Sequence, residues 1–243
     1  MLSKNTMKHP KWGCIVVTRN TRARRIIMRA RPDAIHVTAP PHATDADIER
    51  ALARCGERLM TAQQEKRPVH IDKNFTIETP NFRLNIKECN DRSTRLTGGK
   101  GNYTILCPQG CDHSCEKRQQ ILRSGINAAI KHRAKELLPQ RLKELAMKHG
   151  FSYSRCTVRE VSSRWGSCTS TGNISLSTRL ILLPDRLIDY VLLHELCHTV
   201  EMNHSERFWA LMDSHTAPAR AKELRACLKH EGNRLPEYET AEK

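Results

Sequence analysis

Apolar residues in the first hundred positions recur at the short spacing of strands. Residues 12–17, 25–29 and 35–38 read as three strands, the first two joined by the basic turn Thr18-Arg19-Asn20-Thr21-Arg22. Pro40-Pro41 stops the third, because proline donates no ladder hydrogen bond. Thr44, with Asp47 three residues on, has the form of a capping box in which Asp stands where Glu or Gln is usual. It predicts a helix running to about Gln64. Strands are expected again at 75–79 and at 82–87, where Phe82, Leu84 and Ile86 alternate. Gly98-Gly99-Lys100-Gly101 reads as a turn before a strand at 103–107.

From Glu116 the spacing becomes helical. Ile121, Leu122, Ile126, Ala129, Ile130, Ala134 and Leu137 fall on one side. Pro139 is expected to break or restart this run, and a second helix should reach His149, with Gly150 as its C-cap. Strands follow at 154–162 and 173–177, joined through Arg164-Trp165-Gly166-Ser167-Cys168 and Thr171-Gly172. Pro184 sits at a helix start, where its missing N–H costs nothing. Further helices are expected at 205–215 and after Pro218. The change of character near 111–116 predicts an α+β protein. A β-rich region with one helix covers 1–110, and a catalytic domain of helices packed on a small sheet covers 111–243.

The 243 residues suffice to bury a core. A hydrophobic share of 38% excludes a disordered chain, and no run reaches the roughly 18 apolar residues of a membrane span. The opening Met1-Leu2-Ser3-Lys4-Asn5-Thr6 has no secretory core, so a cytoplasmic location is expected. Ten cysteines in such a chain fit reduced thiols, most of them packing residues. Forty-one Lys and Arg against 26 Asp and Glu give +15, which attracts DNA, RNA or nucleotides and equally suits a basic enzyme with no such partner. Aromatics at 5% argue against a platform on which bases stack.

The chemistry concentrates in Asp189-Tyr190-Val191-Leu192-Leu193-His194-Glu195-Leu196-Cys197-His198. Histidines four apart on a helix lie about 40° apart around the axis and roughly 6 Å along it, so both rings reach one ion. Glu195 follows the first histidine and can take a proton from water without binding the ion itself. The helix is apolar almost all round, hence buried, and two histidines and a carboxylate buried there need something to satisfy them. A catalytic zinc usually takes three protein ligands and leaves one position open. His204 is the third candidate, ahead of Glu201, Glu206 and His215. Asn203, tolerant of left-handed dihedrals, suits the turn before it. One zinc ion is expected, and another divalent metal would also fit such a site.

Three segments, Arg164-Trp165-Gly166-Ser167-Cys168, Tyr190 to His198, and Asn203-His204-Ser205-Glu206-Arg207-Phe208-Trp209, resemble the YgjP-like metallopeptidase family, related to the SprT-like and Wss1-like zincins. The basic hairpin at 22–29 resembles its amino-terminal part. The resemblance implies a minimal zincin fold with His194, His198 and His204 on the metal and Glu195 as base. Cys197 stands where related sequences often carry alanine, and a thiol there could compete for the ion.

The function expected is therefore a zinc-dependent hydrolase cleaving peptide bonds. The resemblance also permits a nucleoside triphosphate pyrophosphatase, since a family member acts on UTP, although no Walker loop is present. A zinc-stabilised nucleic-acid adaptor is a third reading. For substrate binding, Arg164 could hold an anionic group, Ser167 could donate a hydrogen bond and Tyr190 could stabilise an oxyanion. The alternatives are a tight turn with Trp165 in the core and a core tyrosine. Residues 173–177 could offer a sheet edge to a peptide or be an ordinary sheet member. Cys107, Cys111, His113 and Cys115 could form a second metal site or pack in the core. The basic run 19–31 could meet a polyanion or be a solvated face.

Overall fold

The computed structural model describes residues 3–31, 33–65 and 69–235. The outermost residues of the two expected segments, 1–2 and 236–243, lie outside these. Two compact units emerge, Met1–Val69 and His70–Lys243. The change of character read at 111–116 falls inside the second unit, where its four-stranded sheet ends and its long helix begins.

In the first unit a sheet runs in the order β1-β2-β4-β3, with β1 Ser3–His9, β2 Gly13–Arg19, β3 Ile27–Ala30 and β4 Ile35–Ala39. β2 and β4 are parallel and the other pairs antiparallel. Helix α1, Asp45–Glu65, covers it, burying Ile48 and Leu52 with Ile15, Val17, Ile35 and Val37. The capping box forms with Asp in it. The Thr44 N–H donates to Asp47 Oδ2 at 2.8 Å, and the Asp47 N–H donates to Thr44 Oγ1 at 3.2 Å. Arg22 of the basic turn, and Arg24 and Arg25 after it, are exposed.

The second unit opens with a sheet of order β5-β6-β8-β7, made of β5 Thr76–Thr79, β6 Phe82–Cys89, β7 Arg95–Gly99 and β8 Asn102–Pro108. Its buried face, with Phe82, Leu84, Ile86 and Ile105, packs on helix α2, Glu116–His149. Pro139 does not break α2, contrary to expectation. Leu138 and Leu142 beside it are wholly buried. A proline inside a helix costs about 3 kcal/mol, and burying two leucines returns roughly 1.5–3 kcal/mol each. The buried row runs Leu122, Ile126, Ala129, Ile130, Ala134, Leu138, Leu142 and Ala146, while Ile121 is turned to solvent at 41% exposure. Gly150 ends the helix in the left-handed region at φ 73°, donating to the Ala146 carbonyl.

A second, three-stranded sheet has the order β10-β11-β9, from β9 Arg155–Arg159, β10 Gly166–Cys168 and β11 Asn173–Ser177. β11 pairs with both neighbours, so it is the middle strand and offers no edge. The edges belong to β9 and to β10, the latter taken by sequence reading for part of a connection. A 3-10 helix, Thr178–Leu182, leads to α3, Asp185–Cys197, and then come α4, Glu206–Thr216, and α5, Ala221–Arg234. Arg141 of α2 grips α3 through Asp189, with Nε to Oδ1 at 2.5 Å and Nη2 to Oδ2 at 3.0 Å, and also reaches Asp185 Oδ1 at 2.6 Å. Among the described residues no helix is long and apolar enough to cross a membrane.

Candidate metal centre

Helix α3 carries the first two histidines because its other positions are committed to the core. Leu187, Ile188, Val191, Leu192, Leu193 and Leu196 are buried, which leaves one stripe for His194, His198 and, beside it, Glu195. His198 sits at the helix C-cap, where the chain turns away. The turn is made by hydrogen bonds from the N–H groups of Val200 and Glu201 to the Cys197 carbonyl, at 3.0 and 2.9 Å. Asn203 plays no left-handed part in it. Among the described non-glycine residues only Lys100 has a positive φ. Ser205 then caps α4 by accepting from the Phe208 N–H, and His204 stands just before that cap.

The three imidazoles converge. Their ring centroids are 4.8, 5.0 and 4.7 Å apart, a nearly equilateral triangle. One donor atom from each lies within 4.8 Å of the others, and this is the one group of three or more potential ligands among the described residues. The Nε2 atoms of His194 and His204 are 3.0 Å apart, so their facing lone pairs need a shared proton or a common cation. His198 uses Nδ1 on the Glu201 carbonyl at 3.0 Å, which fixes its tautomer and leaves Nε2 for an ion. Phe208, fully buried, lies 4.9, 4.6 and 4.8 Å from the three rings and forms an apolar floor beneath them. The donor set suits a divalent transition ion, and neutral imidazole is the form that binds it. Burial first, then the neighbouring histidines and Arg225, hold His194 neutral, with its pKa down to about 3.

Glu195 is 5% exposed, and its Oε2 has no hydrogen-bond partner among the described residues. Burial pushes its pKa up to about 8, against the opposing charge of Arg164. Gly166 of β10 sits against it, since a Cβ there would fall 2.5 Å from Oε1. Tyr190 is buried with its ring 6.0 Å from that of His194, and burial raises its phenol to about 12. Arg164 is exposed. Ser167 pleats away from Glu195, opposite Ser175, while Gly166 and Cys168 face the carboxylate side. Trp165 packs on α5, where Gly232 makes room for it: a Cβ there would meet Cζ2 at 2.7 Å. Cys197 is buried in the core with its thiol raised to about 12, and does not join the histidines. Cys107 is buried, Cys111 lies 3.4 Å from His113, and Cys115 is exposed at the start of α2, so these four do not gather around one point. His215 pairs with His149 at 3.0 Å.

Sequence reading gave no role to two neighbours. Arg225 of α5 lies over the Trp209 ring at 5.5 Å, and its charge is felt at His194, His204 and Tyr190. Phe208 was visible only as part of a motif.

The model of the YgjP-like metallopeptidase domain matches residues 24–231. The chain belongs to this family. The resemblance carried by the three motif segments is thereby borne out, and the YgjP-like match takes in the histidine triangle, Glu195 and Gly166. Two solved structures are similar over a smaller part. The metallopeptidase zymogen abylysin of Pyrococcus abyssi is 22% identical, over 42% of this chain and 100% of its own, with a TM-score of 0.36. The zymogen jannalysin of Methanocaldococcus jannaschii is 16% identical, over 39% of this chain and 95% of its own, with a TM-score of 0.35. No curated protein matches the chain.

Proposed function

We propose that this YgjP-like protein is a zinc-dependent peptidase in which His194, His198 and His204 hold the ion and Glu195 is the general base. The observation that carries the reading is the convergence of three imidazole donors within 4.8 Å on a buried helix, next to a carboxylate with an unpartnered oxygen. A divalent ion held there supplies Lewis acidity, lowering the pKa of a water molecule and polarising a substrate carbonyl. Glu195 accepts the proton of the attacking water and delivers it to the leaving nitrogen. Its burial raises its proton affinity, which suits that transfer. His198 is kept in one tautomer by the Glu201 carbonyl, so its ligating nitrogen is oriented beforehand. The open edge of β10 runs beside Glu195 and offers backbone groups to an extended peptide.

Metal analysis of the purified protein, with casein cleavage by native and Glu195→Gln chains, tests this. One zinc per chain is expected in both, with turnover in the variant lower by about 10²–10⁴-fold. Native turnover in Glu195→Gln, or loss of zinc from His204→Ala no greater than from native protein, would overturn the assignment.

A further inference from the structure

The β9, β10 and β11 sheet has a second face, and its composition differs from the first. Cys156, Val158, Ile174 and Leu176 point into the core. The alternate positions point the other way, and they line a concavity of about 500 Å³. Arg155 and Arg159 come from β9, Arg164 from the segment before β10, and Thr157, Ser167 and Ser175 form a hydroxyl row across the three strands. No Asp or Glu and no aromatic residue lines it. Arg155 and Arg159 have no ion-pair partner among the described residues, while the charge of Arg164 is also felt at Glu195. Nearby Glu160 is engaged by Lys131 at 2.6 Å. The side-chain hydroxyls of Ser167 and Ser175 have no hydrogen-bond partner among the described residues, while that of Thr157 donates to the Ile174 carbonyl at 3.5 Å.

The unpaired cations Arg155 and Arg159 and the free hydroxyls of Ser167 and Ser175, with no carboxylate lining the groove, make a surface complementary to phosphate oxygens. Arg155 and Arg159 stand at opposite ends of β9, about 13 Å apart at the rise of a strand, which suits a chain of phosphates better than one anion. With no aromatic side chain in the groove, bases gain no stacking there, so recognition falls on the backbone and carries no sequence preference. A concavity of this size admits one strand rather than the full width of a duplex.

We propose that this face binds the phosphodiester backbone of single-stranded nucleic acid, held by Arg155 and Arg159, with Arg164 at the end nearest Glu195. The protein would then bring its hydrolytic site to substrates near such a strand. The residues varied in its test, Arg155 and Arg159, take no part in the peptidase reading, and the test needs no turnover.

The experiment is fluorescence anisotropy of the full-length, metal-loaded protein with a short fluorescein-labelled oligothymidylate, across a salt series. Binding that weakens steeply with salt is expected. The double variant Arg155→Gln/Arg159→Gln should bind about tenfold more weakly, with a salt slope smaller by about 1.4, at 0.7 per lost phosphate contact. Arg155→Lys/Arg159→Lys keeps the charge and should retain most of the binding, which separates lost contacts from lost folding. Unlabelled polyglutamate should compete poorly, and a duplex of the same sequence should bind more weakly. The proposal is overturned by no binding at low salt, by a double Gln variant that binds like native protein, by polyglutamate competing as well as the oligonucleotide, or by a duplex binding as tightly as the single strand.

Discussion

Gly166 and Glu195 touch so closely that a side chain at position 166 would displace the glutamate. A Cβ there would lie 2.5 Å from Glu195 Oε1 and 2.7 Å from its Cγ. Glu195 is buried on α3, so the contact sets where its carboxylate points. Gly166→Ala should therefore lower kcat/KM for peptide cleavage by about 10²-fold, the scale of a displacement near 1 Å, while zinc content stays at the native level. Steady-state kinetics beside metal analysis checks this. A variant that cleaves normally would mean that β10 gives way instead.

Removing the ion should be visible in stability as well as in turnover. Three imidazoles held together without a cation gain nothing from their proximity, and an ion that binds only the folded state stabilises it in proportion to the logarithm of its concentration over Kd. A chelator should lower the Tm of native protein. In His204→Ala, which leaves two ligands, the chelator should change Tm much less. Differential scanning fluorimetry with and without chelator reads both.

Arg141 fastens the histidine-bearing helix to α2 through two carboxylates. Its pKa is raised by those hydrogen bonds, Asp189 first. Arg141→Met keeps much of the apolar stem but leaves Asp189 and Asp185 half-exposed without their cation. The expected loss is about 1–2 kcal/mol, modest because water can still reach the carboxylates. Urea denaturation measures it as a shift of midpoint.

The cap of α1 gives the first unit an acid limit of its own. Hydrogen bonds from Thr44 and then Arg50 depress Asp47 from 3.8 to about 2. A carboxylate whose folded pKa is lowered contributes stability that is complete above the unfolded value and lost as pH falls through the folded one. Helicity in this unit should thus weaken between about pH 3.8 and 2, and Asp47→Asn should flatten that dependence. Far-ultraviolet circular dichroism over an acid titration would show it.

Local patterns carried most of what the sequence revealed. The histidine spacing, the apolar surround of α3, the capping box and the glycine end of α2 each depend on neighbours within a turn or two, and such signals survive in one dimension. His204 was reachable because its turn is short. The unread parts depend on partners far along the chain. β1, with its polar Ser3–His9, and the three residues of β10 are strands because β2 and β11 pair with them. Pro139 stays helical because of what Leu138 and Leu142 bury, and nothing adjacent to it announces that. Ile121 shows the limit of helical periodicity, since it lies on the margin of the stripe and faces water. Arg225 and Arg141 act across tertiary contacts, for which a single chain offers no pattern.

Helix α5 contains none of the residues assigned to chemistry, yet it braces two opposite walls. Gly232 receives Trp165, the residue before Gly166, and Arg225 lies over Trp209, next to His204. The α4–α5 joint is itself pinned by Asp213, which accepts from the Ala221 N–H at 2.7 Å. A single proteolytic nick in that joint would free both walls from their brace while leaving the three histidines and Glu195 in the polypeptide.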